Sequence, residues 1–151
     1  MQGFDTTAVV FEQPRHLALS QVSLAPPGDD DCVVDIEWSG ISTGTERLLW
    51  LGQMPDFPGM GYPLVPGYGS VGRVVSGGDD AGLRTGDRVF VPPKIPCMRC
   101  STCRNGHQAV CSMVKERLPG GLAEFILVPA EMVRRGIRPL PDMISYDQST
   151  F

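Results

Sequence analysis

The chain has 151 residues, the size of one ordinary domain. Its 13 Lys+Arg stand against 17 Asp+Glu, a mildly acidic balance that excludes a general nucleic-acid or membrane-surface binder, which needs a basic face. The apolar share of 42% suffices for a core, and the 18 glycines and 14 prolines are scattered among apolar runs with no repeat, which predicts many short strands joined by turns.

The start, MQGFDTTAVVFEQP, lacks a basic region followed by a long apolar one. No apolar run approaches the roughly 18 residues of a membrane helix. These features predict a cytoplasmic chain without membrane insertion. TTAVVF (6–11) and HLALSQVSL (16–24) read as two strands joined at Gln13-Pro14-Arg15. CVVDIEWSG (32–40) alternates, with Val34, Ile36 and Trp38 on one face and Asp35 and Glu37 on the other, the period of a half-buried strand. TERLLWLG (45–52) reads as a short helix closed by Gly52. The stretch 53–69 carries four prolines and four glycines and reads as a long ordered loop with a large apolar load. SVGRVVSGG (70–78), GDRVFVPP (86–93) and GGLAEFILVP (120–129) read as further strands. In PDMISYDQSTF (141–151), Ser145 caps the start of a helix within a linker. The sum is a mainly β, antiparallel domain with little helix.

Four of the five cysteines fall at C-x2-C-x2-C-x7-C: Cys97, Cys100, Cys103 and Cys111. Reduced thiols clustered in this way read as metal ligands before disulfides. Two successive short gaps present three sulfurs on one side of a loop, and the fourth closes a tetrahedron. Zn(II) takes four thiolates at about 2.3 Å, and a site with four protein ligands has no open position for water or substrate. Such a site is structural. Lys94, Arg99, Arg104, Lys115 and Arg117 surround the cluster in sequence, with Glu116 as the opposing charge, and cations favour the thiolate form. An iron–sulfur cluster is the rival occupant, although the ferredoxin run places its last cysteine earlier. His107 lies inside the lobe as a further candidate ligand or a solvated loop residue. Cys32 stands alone and reads as a strand residue.

GDRV, then CMRCSTCRNGHQAVC, then GGLAEFILVP and LPDMIS resemble, in order and spacing over 86–151, the catalytic GroES-like domain of the medium-chain, zinc-type alcohol dehydrogenases. The resemblance implies a partly open antiparallel β-barrel over 1–140 with a zinc lobe at 94–115. It also implies that 141–151 leads toward a nucleotide-binding domain. In that family the four-cysteine lobe holds a structural zinc, matched here residue for residue. The stretch DIEWSGISTGTERLLWLGQMPDFPGMGYPLVPGY is similar to a narrower branch, the bacteriochlorophyllide a dehydrogenases, over roughly 5–92. That branch oxidises a hydroxyethyl side chain of a chlorin with a nicotinamide cofactor, so the implied partner is a small-molecule alcohol of chlorin type. The cysteine lobe is not expected in that branch, nor is Gly69 where it carries Glu.

The wider family also holds a catalytic zinc, through G-I-C-G-T-D and G-H-E. Here GISTGTE places Ser42 or Thr43 at the cysteine, and Gly67-Tyr68-Gly69 replaces the second motif. A catalytic zinc needs about three protein ligands and an open position. These residues do not supply them, so general base catalysis takes the alcohol proton. Thr45 matches the family's hydroxyl relay, Glu46 the acid that follows it, and Tyr68 stands where the histidine was. Each also has a plain reading: Thr45 as a helix cap, Glu46 as a first-turn acid, Tyr68 as a packed aromatic. Leu48, Leu49, Trp50, Met54, Phe57, Met60, Tyr62 and Leu64 supply either an apolar wall for a macrocycle or anchors for the loop. No strand–G-x-G-x-x-G–helix unit occurs in these residues, so NAD(P) belongs to a further domain and the 151 residues alone are expected to be inactive. A zinc-stabilised interaction module, self-associating into a homo-oligomer, and an iron–sulfur electron carrier are the competing functions.

Overall fold

The computed structural model describes residues 3–55, 61–111, 113, 116–118 and 120–150. Strands β1 (Phe4–Gln13) and β2 (His16–Leu24) form an antiparallel hairpin. Arg15 turns it at φ 61°, and its N–H donates to the carbonyl of Trp50 at 2.7 Å. Next come β3 (Cys32–Gly40), helix α1 (Thr45–Leu51), β4 (Tyr68–Gly77) and β5 (Arg88–Val91). The lobe holds β6 (Lys94–Ile95), α2 (Ser101–Arg104) and β7 (Glu116–Arg117). The chain then runs through β8 (Phe125–Val128), α3 (Ala130–Arg135), β9 (Arg138–Pro139) and α4 (Tyr146–Ser149).

A five-stranded antiparallel sheet in the order β8-β3-β4-β5-β9 carries the core. Val34, Val74, Val89 and Val128 are fully buried between its strands and α3, whose Met132 and Val133 close one side. The β1–β2 hairpin wraps round to the other edge. Ala8 bridges Ala123, Phe11 bridges Leu64, and the N–H of Phe125 donates to Thr6 Oγ1 at 2.8 Å. These contacts curl the sheets into the mainly β, partly open barrel that the family likeness implies.

Three local expectations change. Trp38 does not share the buried face of Val34; it is 50% exposed. The β3–β4 register shifts between Ile36 and Trp38, and a bulge there breaks the period-two pattern. Helix α3 was not foreseen, because six residues between Pro129 and Gly136 are too few to show a helical period. The strand expected at 120–129 shortens to Phe125–Val128, since Gly121 and Leu122 donate instead to the carbonyls of Gly67 and Pro66. Ser145 does open α4, its N–H donating to Gln148 Oε1 at 3.1 Å in a capping box.

Candidate metal centre and cavity

The lobe stands on the β6–β7 pair. Ile95 is buried in the main core, and Cys97 follows two residues later. Cys100 caps α2, Cys103 lies within it, and Cys111 follows a 3-10 turn at Gln108–Val110. The four Sγ atoms lie within 4.8 Å of one another. Cys97 and Cys111 are 3.6 Å apart, Cys100 and Cys111 3.9 Å, Cys97 and Cys103 4.0 Å. A tetrahedron with arms of about 2.3 Å has edges of about 3.8 Å. Disulfides join sulfurs at about 2.05 Å, and all five cysteines are free. A four-iron cluster would spread the sulfurs over separate irons, so this geometry suits one ion.

Backbone N–H groups point at the sulfurs: Cys100 donates to Cys97 at 3.4 Å, Cys103 to Cys100 at 3.4 Å, Cys97 to Cys111 at 3.5 Å. The N–H groups of Arg99 and Cys100 hold the Cys97 thiol down at about 6, while burial pushes Cys103 up to about 12. Without a cation Cys103 keeps its proton; a divalent ion would drive it off. His107 is exposed and lies outside the cluster. Arg99 and Arg104 are exposed, and Lys115 lies outside the described residues.

The second feature is a cavity of about 690 Å³ beneath the long loop. Thr45, Glu46 and Tyr68 all line it. Thr45 Oγ1 and the Tyr68 hydroxyl lie 3.4 Å apart. Glu46 is 7% exposed; its Oε2 accepts from Ser42 N at 2.8 Å, and its buried Oε1 has no partner among the described residues. The plain reading of Glu46 thus covers one carboxylate oxygen and leaves the other unexplained. The capping role falls to Ser42, whose Oγ accepts from the N–H groups of Gly44 and Thr45 at 3.3 and 3.1 Å.

The apolar side chains of α1 and the loop fall in two places. Leu49, Met54 and Leu64 line the cavity. Trp50 packs edge-on against Phe11 at 5.8 Å, and the Tyr62 hydroxyl donates to the Leu49 carbonyl. Phe57 and Met60 lie outside the described residues.

Residues 28–142 match the alcohol dehydrogenase GroES-like domain. The chain belongs to that family. This GroES-like domain is 60% identical over 87 residues to 2-desacetyl-2-hydroxyethyl bacteriochlorophyllide A dehydrogenase of Cereibacter sphaeroides, covering 58% of the chain and 27% of the relative. It is 32% identical over 125 residues to the L-galactonate-5-dehydrogenase of Escherichia coli, covering 80% and 36%. Among solved structures it is similar to alcohol dehydrogenase TADH from Thermus sp. ATN1, with TM-score 0.69 and 29% identity over 93% of this chain and 42% of that one. The chain therefore spans less than half the length of these relatives.

Within the GroES-like domain, Ser42 is committed to capping α1 and Thr43 is exposed. Tyr68 sits at the start of β4, facing Thr45 at the start of α1. One cavity residue was not foreseen in that place. Lys94, counted from sequence among the cations of the metal lobe, lies on the cavity wall, and its Nζ donates to the Ala109 carbonyl at 2.7 Å. Nothing local in PPKIP marks it as a wall residue, because the wall forms only when the loop folds over β1 and β8.

Proposed function

We propose that this chain is the substrate-binding domain of a nicotinamide-dependent dehydrogenase that oxidises a secondary alcohol, with zinc held by Cys97, Cys100, Cys103 and Cys111 in a structural role. The observation that carries the reading is the Thr45–Tyr68 hydroxyl pair on the wall of a large, mostly apolar cavity. The four sulfurs close round one ion and leave it no open position, which supports the structural role. No catalytic zinc is assigned. Ser42, Thr43, Tyr68 and Gly69 stand where the family's second site has its ligands, and hydroxyls and glycine are poor donors for it.

The alcohol oxygen sits against Thr45 Oγ1 and the Tyr68 hydroxyl. Its proton passes through that pair, with the unpartnered Oε1 of Glu46 as acceptor. The bound nicotinamide supplies the acceptor for the hydride leaving the carbinol carbon. Residues 1–151 contain no phosphate-binding glycine motif, so that cofactor is assigned to a further domain and the isolated chain to inactivity. The likeness to a hydroxyethyl bacteriochlorophyllide dehydrogenase supports a chlorin substrate. The cavity volume supports it too, lying in the upper half of the range of about 300–1,000 Å³ for small-molecule sites.

The test is metal analysis followed by assay with hydroxyethyl bacteriochlorophyllide and NAD(P), on the chain alone and on the chain joined to a nucleotide-binding domain. About one zinc per chain and turnover only in the joined protein support the proposal. Two zinc ions per chain, or turnover by the isolated chain, would overturn it. The exposed Met98, Val110 and Met113 favour a second role for the lobe, as a contact for another copy of the chain. A monomeric mass in light scattering, at concentrations where the joined enzyme works, removes that reading.

A further inference from the structure

The cavity holds two charged side chains and no more among its described lining residues: Glu46 and Lys94. Apart from the hydroxyls of Thr6, Thr45 and Tyr68, its other side chains are apolar. Lys94 lines the cavity, while its ammonium reaches an exposed hydrogen bond on the side of the metal lobe, so the cation stands at the edge of an otherwise apolar wall. Lys94 is half-buried and makes no ion pair with any carboxylate whose side chain is described. Its Nζ gives one hydrogen bond, to the Ala109 carbonyl, out of the three that an ammonium can donate. The backbone beneath it is held as well: Lys94 pairs with Arg117 across β6–β7, and the Pro93 carbonyl accepts from Leu118 at 2.8 Å. The backbone that carries the cation is thus held before any ligand arrives, which lowers the entropy cost of using it. Glu46 has the complementary need. Its buried Oε1 lacks a donor, and the residue lines the same cavity as the hydroxyl pair.

We propose that the cavity takes an apolar alcohol that also carries an anionic group, the hydroxyl going to the Thr45–Tyr68–Glu46 end and the anion to Lys94, which makes Lys94 a specificity-determining residue. This deepens the proposed function and rests on it for the position of the hydroxyl. A carboxylate matches the wall best, because one or two ammonium hydrogens are enough for it and a single cation balances it.

The test measures binding to the full zinc-loaded chain, by quenching of tryptophan fluorescence. The probes are 3-devinyl-3-(1-hydroxyethyl)pheophorbide a, a chlorin alcohol with a free carboxylate, and its methyl ester. The variants are Lys94→Met, which keeps the stem and removes the charge, and Lys94→Arg, which keeps a cation. Zinc content is measured alongside, because the lost Ala109 contact belongs to the metal lobe. The parental chain binds the acid roughly tenfold tighter than the ester, the worth of one charge-assisted hydrogen bond. Lys94→Met binds both alike at unchanged zinc content, and Lys94→Arg keeps most of the preference. Equal binding of acid and ester by the parental chain, or a preference that survives in Lys94→Met, overturns the role of Lys94 and leaves the chlorin reading standing. If neither chlorin binds, the chlorin reading fails, and ricinoleate against methyl ricinoleate puts the same question without a macrocycle. A carboxylate preference that depends on Lys94 in that pair sustains the inference, and its absence ends it.

Discussion

Thr45 Oγ1 and the Tyr68 hydroxyl stand 3.4 Å apart, linking the first residue of α1 to the first residue of β4. Neither hydroxyl is needed to hold the barrel: Tyr68 is 37% exposed, and the first N–H groups of α1 are served by Ser42 Oγ. Replacing the tyrosine therefore separates chemistry from folding. In the chain joined to a nucleotide-binding domain, Tyr68→Phe should lower kcat about 100-fold, the low end for losing a positioned proton-transfer group. The unfolding free energy should move by no more than about 0.5 kcal/mol. Unchanged kcat would remove Tyr68 from the proton path and return it to loop packing.

The metal lobe should be separable from the barrel. Its base shares Ile95 with the main core, whereas its three buried cysteines form a packing cluster of their own. Structural zinc in small peptides is linked to folding by about 10–16 kcal/mol. Cys103→Ser should thus lose zinc and leave 97–111 unprotected in hydrogen exchange, while amides of β3 and β4 keep their protection. Retained zinc with normal protection of the lobe would show that the Cys103 sulfur is dispensable. Uniform loss of protection across β3 and β4 would show that the barrel depends on the ion.

These two sites differ in how far the sequence alone revealed them. The cysteine spacing is a local signal. Three sulfurs on successive short gaps meet wherever the loop lies, and the structure gathers all four. Most strands were legible for the same reason, as short apolar runs between glycines and prolines. The cavity is not local. Its walls come from β1, the long loop and the start of β8, joined by bridges such as Ala8 to Ala123 that no periodicity encodes. Lys94 and the orphaned oxygen of Glu46 acquire meaning only once those walls meet. Trp38 misled because a bulge shifts register without leaving a mark in the alternation.

Cys32 has no chemistry assigned to it, but its burial has a consequence in alkali. It is fully buried in the core cluster, and burial pushes its thiol from the ordinary 9.0 up to about 11. Between those values the unfolded chain has lost its proton and the folded chain keeps it. Stability must then fall as pH rises from about 9 to about 11. By about pH 10.5 the loss should approach 2 kcal/mol. Denaturant titrations of the parental chain and of Cys32→Ala, at pH 8 and at about pH 10.5, isolate this group from other alkaline titrations. An equal alkaline loss in both proteins would refute the assignment.

Arg88 should act as the clamp of the C-terminal segment. Its guanidinium donates to the carbonyls of Pro141, Asp142 and Ile144, the last at 2.7 Å, and lies 4.6 Å from the centre of the Tyr146 ring. A planar fork can serve several carbonyls and a ring face together; an ammonium cannot. Arg88→Lys and Arg88→Met should therefore behave alike. Each should cost about 1–2 kcal/mol and speed proteolysis within 141–149. Rescue by lysine would mean that charge alone holds the segment.

Gly72 sets how closely the two central strands approach, and so where Tyr68 ends up. It pairs with Ile36, and a Cβ built on it would fall 1.8 Å from the Asp35 carbonyl oxygen. That oxygen cannot move aside, because Asp35 is itself paired with Phe125 on the far side of β3. Farther along the same strand pair, past two register shifts, Gly40 pairs with Tyr68, and five residues after Gly40 the chain enters α1 at Thr45. Gly72→Ala should cost at least about 3 kcal/mol, as steric overpacking against backbone does. The surviving folded fraction should also lose turnover, as the Thr45–Tyr68 pair is displaced. Gly44→Ala is the control: its nearest neighbour would be Ser42 Oγ at 3.8 Å, and it should cost less than about 1 kcal/mol. Urea midpoints of the two zinc-loaded variants decide the matter. If they match, the close approach of β4 to β3 does not depend on a missing side chain at position 72.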